Sequence, residues 1–424
     1  MLDRNFVRNE PEQVRKLAQR KGLDAPVDQF TSADENRRAV VAELDELRAR
    51  LNQLSKEVGN LFKQGQKDEA EKLKEQAKRT SDEIARRESD EREADEALAE
   101  VELLFPNLPH ESVPDGTSSE DNVVVREWAP EGYQDREVPP HWEIAEHLDI
   151  LDFKRASKIS GSGFALYKGA GARLQRSLIW YMIERQVDAN GYQEVYPPYL
   201  VLEQSLLGTG QLPKFRQDLY EATDGLMLIP TAEVPVTNIY RDEILSAEQL
   251  PTKLAAYSAC FRREAGAAGA DTRGLLRLHQ FDKVELVQFS QPETSYEAHE
   301  SLVRDAELIL QELGVRYRVV LLCAGDMSMQ AAKCYDLEIW SPGTQRWLEI
   351  SSCSNFEAWQ ARRMNLRFRR EPGAKPEFVH TLNGSGLATP RLFAVLLEQG
   401  HQPDGSVQLP EPLAQYMNPL IVAA

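Results

Sequence analysis

The stretch Ala255-Ala256-Tyr257-Ser258-Ala259-Cys260-Phe261-Arg262-Arg263-Glu264, answered after a glycine-bearing gap by Leu276-Arg277-Leu278-His279-Gln280-Phe281-Asp282-Lys283-Val284-Glu285-Leu286-Val287, decides the fold. The two pieces read as strands of one antiparallel pair, joined by a loop that carries Gly266, Gly269 and Gly274. Side chains alternate along a strand. Arg262 and Glu264 therefore share a face of the first strand. Arg277, His279, Phe281, Lys283 and Glu285 share a face of the second, with Leu276, Leu278, Val284 and Leu286 behind them. One face thus gathers acids, bases and an aromatic ring. Its plain reading is a solvated, salt-bridged sheet. Its functional reading is a polar ligand site, over which the loop 265–274 closes.

Hairpins continue outward from this pair. Tyr192–Tyr196 and Leu226–Leu228 read as strands, as do Ala332–Ile339 and Gln345–Ser351 around the turn Ser341-Pro342-Gly343. Helical patterns cover Gly171–Ala189, Ala298–Leu313 and Arg391–Gln399. Hairpins in series, rather than strand–helix alternation, predict an α+β fold with an antiparallel sheet and flanking helices over 141–424. Gly161-Ser162-Gly163 has Leu166 where a dinucleotide loop needs its third glycine, and no βαβ unit follows, so it reads as a turn.

The N-terminal quarter follows a different period. Val40, Leu44, Leu47, Leu51, Leu54, Val58 and Leu61 step by four and three. Past a tip near Gly59–Gly65, Ala70, Leu73, Ala77, Thr80, Ile84, Arg87, Glu91, Ala94, Leu98, Val101 and Phe105 keep that step with poorer core residues. Two heptad helices joined by a short loop make a long antiparallel coiled-coil arm over about 31–105, on the order of 50 Å long. Thr31-Ser32-Ala33-Asp34, with Ser32 followed three residues on by Glu35, reads as its capping signal, and Glu10-Pro11-Glu12 starts an earlier short helix. Residues 1–105 are thus one domain, 106–140 (rich in Pro, Gly, Ser and Asp) a linker, and 141–424 a second domain.

The 424 residues carry a net charge of −18, which argues mildly against a nucleic-acid partner except where positive charge is local. It is local around the tip. Between 48 and 79 stand nine basic residues, Arg48, Arg50, Lys56, Lys63, Lys67, Lys72, Lys74, Lys78 and Arg79, against five acids, whereas 82–102 is strongly acidic. Cys260, Cys323, Cys334 and Cys353 are scattered without a C-x-x-C pair, so free thiols in a reducing cytosol are expected rather than disulfides or a structural zinc site. No apolar run is long enough to span a membrane, and the first residues lack the apolar core of a signal peptide.

The segment Cys260-Phe261-Arg262-Arg263-Glu264-Ala265-Gly266, continuing through Asp271-Thr272-Arg273-Gly274-Leu275 to His279-Gln280-Phe281-Asp282-Lys283-Val284-Glu285, resembles motif 2 of the class II aminoacyl-tRNA synthetases, in the form found in the bacterial-type seryl-tRNA synthetase family. Gly191-Tyr192-Gln193-Glu194-Val195 with Pro198 resembles motif 1. Asn383-Gly384-Ser385-Gly386-Leu387-Ala388 with Arg391 resembles motif 3, although Thr389-Pro390 stands where many relatives carry a small apolar residue and Gly. Thr231-Ala232-Glu233 resembles the family's serine-binding triplet, and Glu349-Ile350-Ser351-Ser352-Cys353-Ser354-Asn355 its metal-site strand. The order holds over nearly the whole chain, arm included.

The resemblance implies a class II catalytic domain that joins serine to the α-phosphate of ATP and then passes the seryl group to the 3′ end of tRNA(Ser), with tRNA(Sec) as a further candidate. It implies that Arg262 bridges the serine carboxylate and the α-phosphate. Glu264 would accept from the adenine amino group, and Phe281 would stack on the ring opposite Arg391, with Arg263, Leu278, Ile350 and Ser351 beside the nucleotide. Glu349 and Ser352 would hold Mg2+. Thr231, Ala232 and Glu233 would hold the serine ammonium, and Glu285, Ser385 and Asn383 would form the wall around its hydroxyl. Arg262, Glu349 and Arg391 are the expected catalytic set. The basic tip would grip tRNA, motif 1 implies a homodimer, and the free thiols expected above make it a cytoplasmic one. Two rivals remain at this point. One is a relative that loads a carrier protein, which would lack the arm. The other is an inert RNA binder, which would be expected to lose Arg262, Glu349 or Arg391.

Overall fold

The computed structural model describes residues 1–264 and 273–423. The expected loop 265–274 therefore lies almost wholly outside the described residues. The chain divides into two compact units: Leu2–Lys16 with Asp24–Phe105, and Leu17–Leu23 with Pro106 onward, Met1 belonging to the second.

The first unit is helical. Short helices α1 (Arg4–Asn9) and α2 (Pro11–Arg20) precede α3 (Val27–Lys63) and α4 (Lys67–Glu102). Val40, Leu44 and Leu54 of α3 and Ala70, Thr80, Ile84, Ala94 and Leu98 of α4 are buried, all on the heptad positions. Arg87, a poor core residue by sequence, bridges to Glu43 across the pair at 2.9 Å. Arg48 reaches Glu88 at 3.1 Å. The turn between the helices is short because Gly65 adopts φ +79, which a Cβ disfavours.

The helix does not start at the expected capping signal. Thr31 Oγ1 donates to Val27 O at 2.9 Å, and both oxygens of Asp34 accept from Arg8 at 2.8 Å. Those side chains are engaged elsewhere, and α3 begins directly after Pro26.

The second unit is built on an eight-stranded sheet. Its strands are β1 (Val123–Trp128), β2 (Gln193–Glu194), β3 (Thr252–Phe261), β4 (Gln280–Ser290), β5 (Tyr317–Leu321), β6 (Lys333–Ser341), β7 (Arg346–Glu357) and β8 (His380–Ala388). The spatial order is β1-β5-β6-β7-β8-β4-β3-β2, antiparallel except where β2 pairs with β3. Helices α5 (Gly169–Asn190), α6 (Ser295–Glu312), α7 (Trp359–Met364) and α8 (Thr389–Gly400) pack around it. Leu174 and Leu178 of α5, Leu302 and Ile309 of α6, and Phe393 and Leu396 of α8 form one core with Leu286, Leu337 and Leu382 of the sheet.

Two expectations change. The stretch 106–140 is more than a linker, because Val123 and Val124, and past a bulge at Val125 the residues Arg126–Trp128, pair with β5 and form the outermost strand of the sheet. The strand expected from Leu276 begins at Gln280, so Arg277 and His279 lie before it.

Candidate active site

β3 and β4 pair as Cys260↔Phe281, Ser258↔Lys283 and Ala256↔Glu285, which sets Phe281, Lys283 and Glu285 in a row. This row lies in and beneath a cleft of about 700 Å³, whose lining includes Thr231, Glu233, Arg262, Phe281, Glu349 and Arg391. Arg262 follows the end of β3. Its Nε donates to Pro230 O at 3.2 Å, and its guanidinium sits 5.1 Å from the Phe281 ring centroid. Glu264 does not continue the strand alternation. It adopts φ +49, and its carboxylate is paired with Arg277 at 2.5 Å. Both residues still line the cleft, as does Leu278. His279 plays a structural part, its Nδ1 lying 3.0 Å from Arg262 O.

β7 forms the opposite wall. Glu349 pairs with Glu338 and Ser351 with Leu337, leaving Ile350 as an extra residue in the ladder. In an unbroken strand Glu349 and Ser352, three apart, would face opposite ways. The bulge turns both toward the cleft, with Ile350 and Ser354. Ser351 is turned away and buried, donating to Ser385 O at 2.7 Å. Burial, and next the charge of Glu349, hold the Asp336 carboxyl well above the usual range. Arg391, in the first turn of α8, contacts Glu349 O and stands 4.0 Å from its carboxylate. The wall is therefore rich in hard oxygen donors, Glu349 and the hydroxyls of Ser352 and Ser354, which suits Mg2+. Among the described residues no group of three His, Cys, Asp or Glu is arranged to hold a metal, so its remaining oxygens would come from the nucleotide.

The floor is a buried polar network. Glu285, 1% exposed, is ion-paired with Lys283 and accepts from Asn383 Nδ2. Thr231 Oγ1 donates to Glu285 Oε2 at 3.1 Å and accepts from Lys283 Nζ at 2.9 Å. Ser385 and Asn383 border the same space. Glu233 accepts from Gln360 Nε2 at 2.8 Å and Gln211 Nε2 at 3.3 Å. Burial, and then the nearby Glu285, push its pKa up to about 7.

Besides Ser351, turned away, and Glu285, which lies beneath the cleft, two further expected binders do not line it. Ala232 is fully buried in the core behind it, and Arg263 offers its main-chain N–H to Asp218 O at 2.9 Å. Sequence reasoning placed Lys283 on the polar face but gave it no role. The signal was its period-two position between Phe281 and Glu285. Gln211 and Gln360 carried no readable signal, because they come from unrelated segments. After β7, Arg362, Arg363, Arg367, Arg369 and Arg370 form a basic run, in which Arg363 lies 3.8 Å over the Trp359 ring and Arg370 pairs with Glu377 at 2.7 Å. In the helical unit all nine basic residues near the tip are exposed.

A cleft on an antiparallel sheet with these residues is that of a class II synthetase, and residues 214–400 match the tRNA synthetase class II core domain (G, H, P, S and T). Residues 1–109 match the seryl-tRNA synthetase N-terminal domain. The chain is 52% identical to the serine–tRNA ligase of Caldicellulosiruptor saccharolyticus over 100% of both chains, and 54% identical to that of Geobacillus kaustophilus over 98% of both. Its structure is similar to that of seryl-tRNA synthetase from Pyrococcus horikoshii complexed with ATP, with a TM-score of 0.91, 36% identity and 100% of both chains covered. The chain belongs to the seryl-tRNA synthetase family.

Proposed function

We propose that this chain is a serine–tRNA ligase that forms seryl-adenylate from serine and ATP and transfers serine to tRNA(Ser), with tRNA(Sec) as a second substrate. The carrying observation is that Arg262, Phe281, Glu349, Arg391, Thr231, Glu233 and Ser385 meet in one cleft, with Glu285 beneath it.

The serine carboxylate attacks the α-phosphorus in line, and pyrophosphate leaves. Such a step needs alignment and charge neutralisation more than a protein nucleophile. Arg262 forks between carboxylate and phosphate, and its moving off Phe281 frees that ring for the adenine. Glu264 leaves Arg277 to accept from the adenine amino group, and Arg391 covers the other face. Glu349 and Ser352 would hold Mg2+, which supplies charge neutralisation at the phosphates. Glu233 and Thr231 take the ammonium. Glu285, its orientation fixed by Lys283 and Asn383, accepts from the substrate hydroxyl. Alanine would leave those buried groups unpaired, so discrimination of about 10⁴ needs no editing site.

The exposed basic residues from Arg48 to Arg79 bind the tRNA backbone. Residues 1–105 serve as the tRNA-binding domain and 141–424 as the catalytic domain of a cytoplasmic homodimer.

Charging of bulk bacterial tRNA with labelled serine, ATP and Mg2+ tests this reading. Label on tRNA that disappears without ATP supports it, and no label defeats it. Replacing 35–100 by a short loop should abolish charging and spare serine-dependent ATP–pyrophosphate exchange. Normal charging by that variant would remove the arm from the account.

A further inference from the structure

Lys21 is 4% exposed, and burial pulls the pKa of its amino group down to about 7. It donates to three main-chain carbonyls: Ser328 O at 2.6 Å, Ala331 O at 2.8 Å and Asn107 O at 3.4 Å. Asn107, also 4% exposed, continues the pattern. Its main-chain N–H donates to Met329 O at 2.8 Å, and its Nδ2 to Gln330 O and Phe356 O, both at 2.8 Å. Four consecutive carbonyls, 328 to 331, are thus held by two residues from distant parts of the chain. The segment is neither helix nor strand, so these carbonyls have no ladder partners. Buried carbonyls require donors, and Lys21 and Asn107 supply them.

The clamped segment faces the cleft through Ser328 and Gln330. Gln330 Nε2 donates to Gly210 O at 3.1 Å. Gly210 is closely surrounded: at φ +90, a Cβ there would meet the Trp359 ring at 2.5 Å and Gln330 Cγ at 2.9 Å. The next residue, Gln211, donates to Glu233 Oε2 at 3.3 Å. A continuous set of contacts therefore runs from Lys21 and Asn107 to the carboxylate assigned to the serine ammonium. In sequence, the two residues flank the helical segment 24–105.

We propose that Lys21 and Asn107 are positioning residues for serine: by fixing the main chain of 328–331 they set Gln330, Gly210 and Gln211, and through them the aim of Glu233. This places control of serine affinity at the two points where the chain leaves for the helical segment and returns from it. The proposal rests on the serine-activating reading above.

The test is serine-dependent ATP–pyrophosphate exchange by the full-length enzyme. Lys21→Met keeps length and removes the donors. Serine KM should rise about tenfold, with ATP KM and the melting temperature near those of the unmodified enzyme. Lys21→Arg, which restores donors, should recover serine KM to within about threefold. Asn107→Asp loses two donated bonds at constant size and should raise serine KM in the same direction. A folded Lys21→Met with serine KM within twofold of the unmodified value overturns the proposal, as does an equal rise in ATP KM.

Should neither variant fold, deuterium exchange on the unmodified enzyme decides. Serine with a non-hydrolysable ATP analogue should slow exchange at the Asn107 amide, by the reciprocity of coupled sites, and an unchanged rate overturns the proposal. An unmodified enzyme that activates no serine would defeat the functional reading itself, a separate result from any variant comparison.

Discussion

The helices of Val27–Glu102 and the pocket around Glu285 handle charge in opposite ways. The helices bury a narrow apolar stripe and leave Lys63, Lys67 and Lys72 in water. The pocket does the reverse, enclosing Lys283, Glu285, Glu233 and Asn383 and satisfying them with one another and with Thr231 and Gln360. Exposed charges act by number and are individually weak. Buried charges act singly, because losing one partner leaves the other unpaired in a low-dielectric site. A long-range grip on a polyanion is served by the first arrangement, and recognition of one hydroxyl by the second.

That contrast is most exposed to Glu285→Ala. Serine-dependent exchange should fall by about 10²–10³ in kcat/KM, and the preference for serine over alanine should fall with it. A variant that kept the preference would move hydroxyl recognition to another residue. Next in size is the combined change Lys63→Glu, Lys67→Glu and Lys72→Glu. Summed charge predicts a rise in tRNA KM of at least about tenfold and a shallower salt dependence, with exchange kinetics untouched. Unchanged tRNA kinetics would take the tip away from the RNA.

The smallest expected effect is on pH. The Glu233 pKa is raised to about 7, and the serine ammonium requires its carboxylate form. Serine KM should therefore climb as pH falls below about 7, approaching tenfold per unit, and be flat above it. The stability contribution has the opposite sense. A carboxyl whose folded pKa is raised contributes fully below its ordinary value and loses that contribution as pH rises through about 7. Serine-free enzyme thus loses stability over the window in which serine binding improves. Glu233→Gln, with its amide fixed in one state, should flatten the KM profile.

The helical pair was legible because its heptad step repeats many times, and a repeated signal survives poor members such as Arg87 and Glu91. The start of α3 was not, because Thr31 and Asp34 bond to Val27 and Arg8 rather than to a helix terminus. In the cleft, Arg262, Phe281 and Glu285 were legible from alternation on one hairpin. The edge strand β1 was hidden by the Pro, Gly and Asp around it. Lys21 and Asn107 were beyond any local pattern, because their partners are main-chain carbonyls, which leave no mark on the residues that own them.

The extra residue at Ile350 also bears on how this strand tolerates change. Replacing its side chain alters one wall contact, and deleting that residue leaves Glu349 and Ser352 two apart, so regular alternation would still hold both on the cleft side. The hairpin Lys333–Glu357 should therefore accept loss of one residue at the bulge far more readily than loss of one in the regularly paired stretch 351–355, where each lost residue shifts the register. A sequence comparison that places a one-residue gap at this point would therefore still keep the acid and the hydroxyl on one face, with a regular strand in place of the bulge.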